Sequence, residues 1–108
     1  MSYLDQLKLI TDWSTSPALT EDDLNDVLAS AALEDASGLA PLHEEWTPTY
    51  DLNSAASAAW LIKAARAAAS VDEPTSGEVT SKVFDNCRAM ARIYATKRSA
   101  TVSIANTS

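Results

Sequence analysis

Residues 20–31 read T-E-D-D-L-N-D-V-L-A-S-A, and this stretch sets the fold class. Thr20 is placed to cap a helix, its hydroxyl accepting a backbone N–H of the first turn. Glu21, Asp22 and Asp23 follow where the positive end of the helix macrodipole favours anions. Leu24, Val27, Leu28 and Ala31 recur at steps of three and four, the stripe of a helix with one buried face. Leu33 is a less regular extension of that stripe. Gly38 is expected to end the helix as the C′ residue that adopts positive φ.

The neighbouring segments repeat the helical pattern. Upstream, Ser2 with Asp5 resembles a capping box, and Tyr3, Leu7 and Ile10 share one face of a helix from Ser2 to Asp12. Trp13 lies just beyond it, before an S-T-S-P loop closed by Pro17. Downstream, a loop from Leu39 to Tyr50 carries Pro41 and Pro48, with room for a short turn around His43 to Trp46. Asp51 then caps a third helix from Leu52 to Ser70. Nine of the fifteen residues from Ala55 to Ala69 are alanine, the strongest helix former. Bulk in this helix is concentrated at Leu52, Trp60, Leu61 and Ile62. V-D-E-P-T-S-G (71–77) breaks it. A fourth helix begins between Ser76 and Ser81 and runs to Lys97, with Val79, Val83, Cys87, Met90, Ala91 and Tyr94 as its apolar stripe and Phe84 beside it.

The last ten residues, Ser99 to Ser108, are of another kind: uncharged, rich in small and β-branched side chains, alternating like a short strand over Thr101 to Ile104. The expectation is an all-α, four-helix bundle-like domain over residues 1–98 with an extended C-terminal tail over 99–108. Its core should include Leu24, Val27, Leu28, Trp60, Val83, Cys87, Met90 and Tyr94. A chain of 108 residues makes one domain that buries roughly two-thirds of its unfolded surface. Much of its 46% hydrophobic content is alanine, which contributes little apolar area. A core this thin gains from packing against other subunits.

Charge is divided unevenly. Met1 to Ile62 holds eleven acids and one base, Lys8, for a net −10; Lys63 to Ser108 holds four acids and seven bases, for +3. Between Lys82 and Arg98 there are five bases and one acid, Asp85. Such asymmetry marks either an interaction surface or two solvated faces that attract each other within one monomer.

Little in the sequence serves catalysis. The single histidine, His43, lies in H-E-E-W, without the second histidine of the zinc-protease pattern. One histidine and one cysteine cannot supply the four ligands of a structural zinc site, so His43 reads as a surface loop residue. Cys87 falls on the apolar stripe, where a free cysteine packs as a small hydrophobe, and one cysteine forms no intrachain disulfide. The acids at 21–26 lack the alternate ligands, central glycine and terminal glutamate of a calcium loop. No nucleophile elbow or phosphate-binding glycine loop occurs, and no set of acid, base and nucleophile can be assembled. Five bases without interleaved aromatics, at a pI near 4.4, make a weak nucleic-acid footprint. Met1 to Trp13 has neither the basic start nor the apolar run of a secretory signal, and no stretch approaches the length of a membrane span. The expectation is a soluble intracellular protein that is not an enzyme and carries no cofactor or metal.

W-T-P-T-Y-D-L (46–52), S-A-A-S-A-A-W-L-I-K-A-A-R (54–66) and V-F-D-N-C-R-A-M-A-R-I-Y (83–94) together resemble the head-to-tail adaptor, or connector, proteins of long-tailed bacteriophages. The order of elements from residue 20 to residue 98 is similar as well: acidic capped helix, proline-containing loop, alanine-rich helix, basic helix, extended tail. The resemblance implies a structural virion protein, made in the host cytoplasm, that forms a ring, typically dodecameric, between the portal protein and a stopper or tail-completion protein. Genomic DNA would pass through the lumen without sequence-specific binding, and no membrane is involved. On this reading the subunit and portal interfaces fall on Glu21, Asp22 and Asp26 in the acidic segment, on Lys82, Arg88, Arg92 and Arg98 in the basic helix, and on Val102 and Ile104 in the tail. The alternative is a small helical protein-binding or regulatory module, of the kind formed by an antitoxin or an anti-repressor partner. A large ring or a portal complex separates the first from the second.

Overall fold

The structure, a computed structural model, describes residues 2–69 and 77–97, with side chains from Lys82 onward in the second segment. The tail over 99–108, with Val102 and Ile104, and Arg98 before it, lie outside the described residues. Four helices occupy the described chain: α1 (Tyr3–Thr11), α2 (Glu21–Ser30), α3 (Leu52–Ala69) and α4 (Gly77–Lys97). No strand occurs among the described residues, and the all-α bundle-like architecture is the one the sequence pattern predicts.

The first three helices start on the chemistry expected of them. The Ser2 hydroxyl accepts from the Asp5 N–H at 3.0 Å. Thr20 and Asp23 form a reciprocal capping box: the Asp23 N–H donates to Thr20 Oγ1 at 3.1 Å and the Thr20 N–H to Asp23 Oδ2 at 2.8 Å. Together they satisfy two donors that the first turn leaves without a helical partner. Asp51 Oδ1 accepts from the Ser54 N–H at 3.1 Å and begins α3.

The end of α2 differs from the expectation. The helix stops at Ser30, and Gly38 plays no part in stopping it. Backbone pairing with the segment ahead of α3 intervenes: the Leu33 N–H donates to Thr49 O at 2.8 Å and the Asp51 N–H to Ala31 O at 2.9 Å, around an antiparallel bridge between Ala32 and Tyr50. Gly38 does take positive φ, at 81°, but within the loop that follows. There the Asp35 carboxylate accepts N–H groups from Ser37, Leu39 and Thr47, each at 2.9 Å. Trp46 Nε1 donates to Leu33 O at 2.8 Å. Tyr50 meets both Tyr3 and Trp46 edge-on, at centroid distances of 5.1 and 5.7 Å. The long proline-containing loop is therefore built around one carboxylate and three aromatic rings.

Helix α3 is the centre of the domain. Ala55, Ala56 and Ala59 pack against Leu7, Leu19, Leu24, Val27, Leu28 and Ala31 from α1, α2 and the loop between them. Half a turn onward, Trp60 and Ala64 pack with Cys87 and Ala91 of α4. Alanine faces let the helix axes approach, so the burial comes from larger residues on the neighbours. Helix α4 leans on α3 and makes no close backbone approach to α1 or α2 among the described residues. That one-sided seat explains a difference in the expected core: Cys87 and Ala91 are buried, whereas Val83, Met90 and Tyr94 are half-buried. Leu61, one of the bulky residues of α3, is exposed.

Leu28 is buried in the larger cluster, and Leu28→Ala should destabilise the domain by about 2–5 kcal/mol. Urea unfolding should show this as a lower midpoint at unchanged slope. A shift worth less than about 1 kcal/mol would mean that α2 is not seated as described.

Candidate functional site

Three polar side chains of α3, spaced three residues apart, fasten the α1–α2 connection. Trp60 Nε1 donates to Ile10 O at 3.2 Å. Lys63 Nζ donates to Asp12 O at 2.7 Å and Thr15 O at 3.0 Å. Arg66 Nη1 donates to Ala18 O at 3.0 Å. Carbonyls at and just past the end of α1 have no intrahelical partner, and α3 supplies the donors. In the sequence Lys63 interrupts the alanine run of α3. Among the described residues it is the largest fully buried side chain, 2% exposed, with its ammonium 5.0 Å from the Trp60 ring centroid. Burial pushes the Lys63 ammonium below its usual 10.5, opposed by the charge of Asp12. Burial likewise pushes the Cys87 thiol above 9.0, with Lys63 pulling the other way. The signal available in the sequence was the i, i+3, i+6 spacing of Trp60, Lys63 and Arg66 on a helix that is otherwise largely alanine.

Arg66 also forms a two-pronged ion pair with Asp23, at 2.6 and 3.0 Å. The guanidinium first, and then the Thr20 N–H, hold the Asp23 carboxyl far below the ordinary carboxylate range. A depressed acid contributes stability above its unfolded value and loses it as pH falls. Asp23→Asn should therefore cost about 1 kcal/mol at neutral pH, and the gap from the parent should narrow as pH falls below 3.8. Denaturant midpoints measured from pH 7 to pH 2 test this; a gap that stays constant over that range contradicts it.

The residues predicted to form interfaces divide into two surfaces. On α2, Glu21 pairs with Lys8 of α1 at 3.2 Å, an exposed contact, while Asp22 and Asp26 face solvent. On α4, Lys82, Arg88 and Arg92 are exposed. Arg88 lies over the Phe84 ring at 5.6 Å. The ion pairs Lys8–Glu21 and Arg66–Asp23 join α1 to α2 and α3 to α2; neither draws the acidic helix to the basic one.

The basic surface has shape as well as charge. Ser57 and Leu61 of α3 and Arg88, Ala91, Arg92 and Ala95 of α4 line a shallow groove of about 160 Å³ along the outer side of the hairpin. Leu61 is 52% exposed at its edge. Arg92 continues onto a neighbouring apolar patch with Ala89, Ile93 and Thr96. The hairpin beneath is pinned by Ser57 Oγ donating to Ala91 O at 2.8 Å and by Asn53 Nδ2 donating to Lys97 O at 3.0 Å.

His43 is exposed in its loop, and Cys87 is enclosed by Trp60, Ala64 and Ala91. Among the described residues no three His, Cys, Asp or Glu side chains converge as a metal site requires. No described helix is long and apolar enough to cross a membrane. Comparison with protein families, with curated proteins and with solved structures finds no match for this chain.

Proposed function

We propose that this chain is a head-to-tail adaptor of a long-tailed bacteriophage, a structural subunit that assembles into a ring on the portal. The observation that carries the reading is the separation of surfaces: an acidic α2 and a basic, partly apolar α4, on helices that do not approach each other. Two unlike patches on one chain favour head-to-tail contact with neighbours, and a head-to-tail contact closes into a ring when its rotation allows. Exposed Leu61 and Ile93 beside the bases add apolar area that a neighbour would cover. The ring is dodecameric in this reading, Val102 and Ile104 of the tail over 99–108 contribute to contact with the portal or a neighbour, and a stopper or tail-completion protein binds beneath.

Co-expression with the portal protein of the same genome tests the proposal. The chain should be retained on the portal as a ring-sized complex. Elution of the chain by itself as a monomer or dimer, with the portal present and assembled, would favour the smaller protein-binding module instead.

A further inference from the structure

Leu42 is the most exposed large hydrophobic residue described, at 100%. Single exposed leucines are ordinary on protein surfaces, but this one is presented by a braced turn. The His43 N–H donates to Ala40 O at 2.9 Å and the Trp46 N–H to His43 O at 3.0 Å. His43 Nδ1 accepts from the Glu45 N–H at 3.0 Å, and the Trp46 indole is anchored on Leu33 O. Glu44 and Glu45, both exposed, follow directly. The chain thus holds out an apolar knob bordered by two acids.

The groove on the α3–α4 hairpin has the converse make-up. Its lining is apolar at Leu61, Ala91 and Ala95, polar at Ser57, and basic at Arg88 and Arg92. These two are one helical turn apart and so lie side by side. Within one chain the knob does not fill the groove, because Leu42 is fully exposed.

We infer that the groove receives the Leu42 turn of a second copy of this chain, Leu42 seating between Leu61 and the α4 alanines while Glu44 and Glu45 face Arg88 and Arg92. Apolar burial supplies affinity, and the paired charges supply orientation and reject the reversed approach. Knob and groove are different surfaces, so the contact is heterologous: each subunit gives one and receives one, and successive copies extend in one direction. This names the contact that closes the proposed ring, and its biological role rests on that reading.

Sedimentation of the full chain, in a concentration series up to about 1 mM, tests it with two exposed-site variants. Leu42→Asp disables the knob and leaves the groove; Arg88→Glu with Arg92→Glu disables the groove and leaves the knob. The parent should self-associate, and each variant should do so at least about tenfold more weakly, with unchanged circular dichroism. Mixed together, the two variants should form a one-to-one heterodimer that grows no further, since only one knob and one groove remain usable. A parent that stays monomeric throughout, variants that associate like the parent, or a mixture that stays monomeric would each overturn the inference. Portal binding separates this from the proposed function. The knob contact without portal binding refutes the adaptor and leaves the contact standing; portal binding undiminished by Leu42→Asp does the reverse.

Discussion

Replacing Lys63 by alanine should lower the unfolding free energy by about 2–4 kcal/mol. The substitution leaves the carbonyls of Asp12 and Thr15 without their ammonium donor and opens a cavity beside Trp60 and Cys87. A buried acceptor stripped of every partner costs about 1–3 kcal/mol; these two are part-buried, and Asp12 O keeps the Thr15 N–H at 3.1 Å. Release from the desolvation penalty of a buried ammonium offsets part of the sum. Lys63→Met separates the contributions, because it keeps most of the packing and removes only the donor; about 1–3 kcal/mol should remain. The parent should also carry an alkaline slope that Lys63→Met lacks. With its ammonium depressed below 10.5 in the fold, the unfolded chain binds the proton more tightly. The contribution of this group to stability therefore rises with pH until 10.5 is passed. Urea midpoints of the parent and both variants, from pH 7 to pH 11, measure all of this. A Lys63→Ala protein as stable as the parent would mean that the lysine does not hold the α1–α2 connection to α3.

Reversing both Arg88 and Arg92 to glutamate should abolish or strongly reduce assembly while the monomer keeps its helicity and melting temperature. Both side chains are exposed on α4, Arg88 lying over the half-buried Phe84 ring, so the fold has little to lose. One exposed ion pair is worth only about 0–1 kcal/mol. A double reversal at neighbouring positions turns two attractions into two repulsions, on a contact whose affinity is otherwise modest. Salt should weaken parent assembly in the same direction, since the screening length is about 8 Å at physiological ionic strength. Size-exclusion chromatography of the doubly reversed chain with the portal reads the effect. Complexes that form normally with both arginines reversed would remove the charge complementarity between the acidic early segment and α4 as a source of assembly.

Helix starts were legible in the sequence because their signals are local. Thr20 with Asp23, Ser2 with Asp5, and Asp51 each meet partners three residues away. Stripe positions Leu24, Val27, Leu28 and Cys87 were legible because burial follows the 3.6-residue period wherever a helix is flanked. The end of α2 was not, because Leu33 and Asp51 take backbone partners from chain far from their own in sequence. Gly38 carries the right conformation for a helix stop, but Asp35 uses it to close a loop. Lys63 was hidden for a similar reason. A lysine among alanines reads as solvated until the carbonyls at the end of α1, some fifty residues earlier, are placed beside it. On the candidate surface, the exposure of Arg88 and Arg92 followed from the period of α4. The groove between them and Leu61 needed the register of α3 against α4, which depends on how alanine faces mesh and leaves no local mark. Leu42 was unremarked for want of any neighbour in the sequence that shows how far its turn projects.

Native mass spectrometry of the chain co-expressed with the portal protein of its genome is the most direct measurement. An adaptor should add to the portal ring in one cooperative step, as a closed set of copies matching the dodecameric expectation, with partly filled complexes scarce. A portal ring that carries no copies of this chain, beside free chain that is monomeric or dimeric, would contradict the assignment.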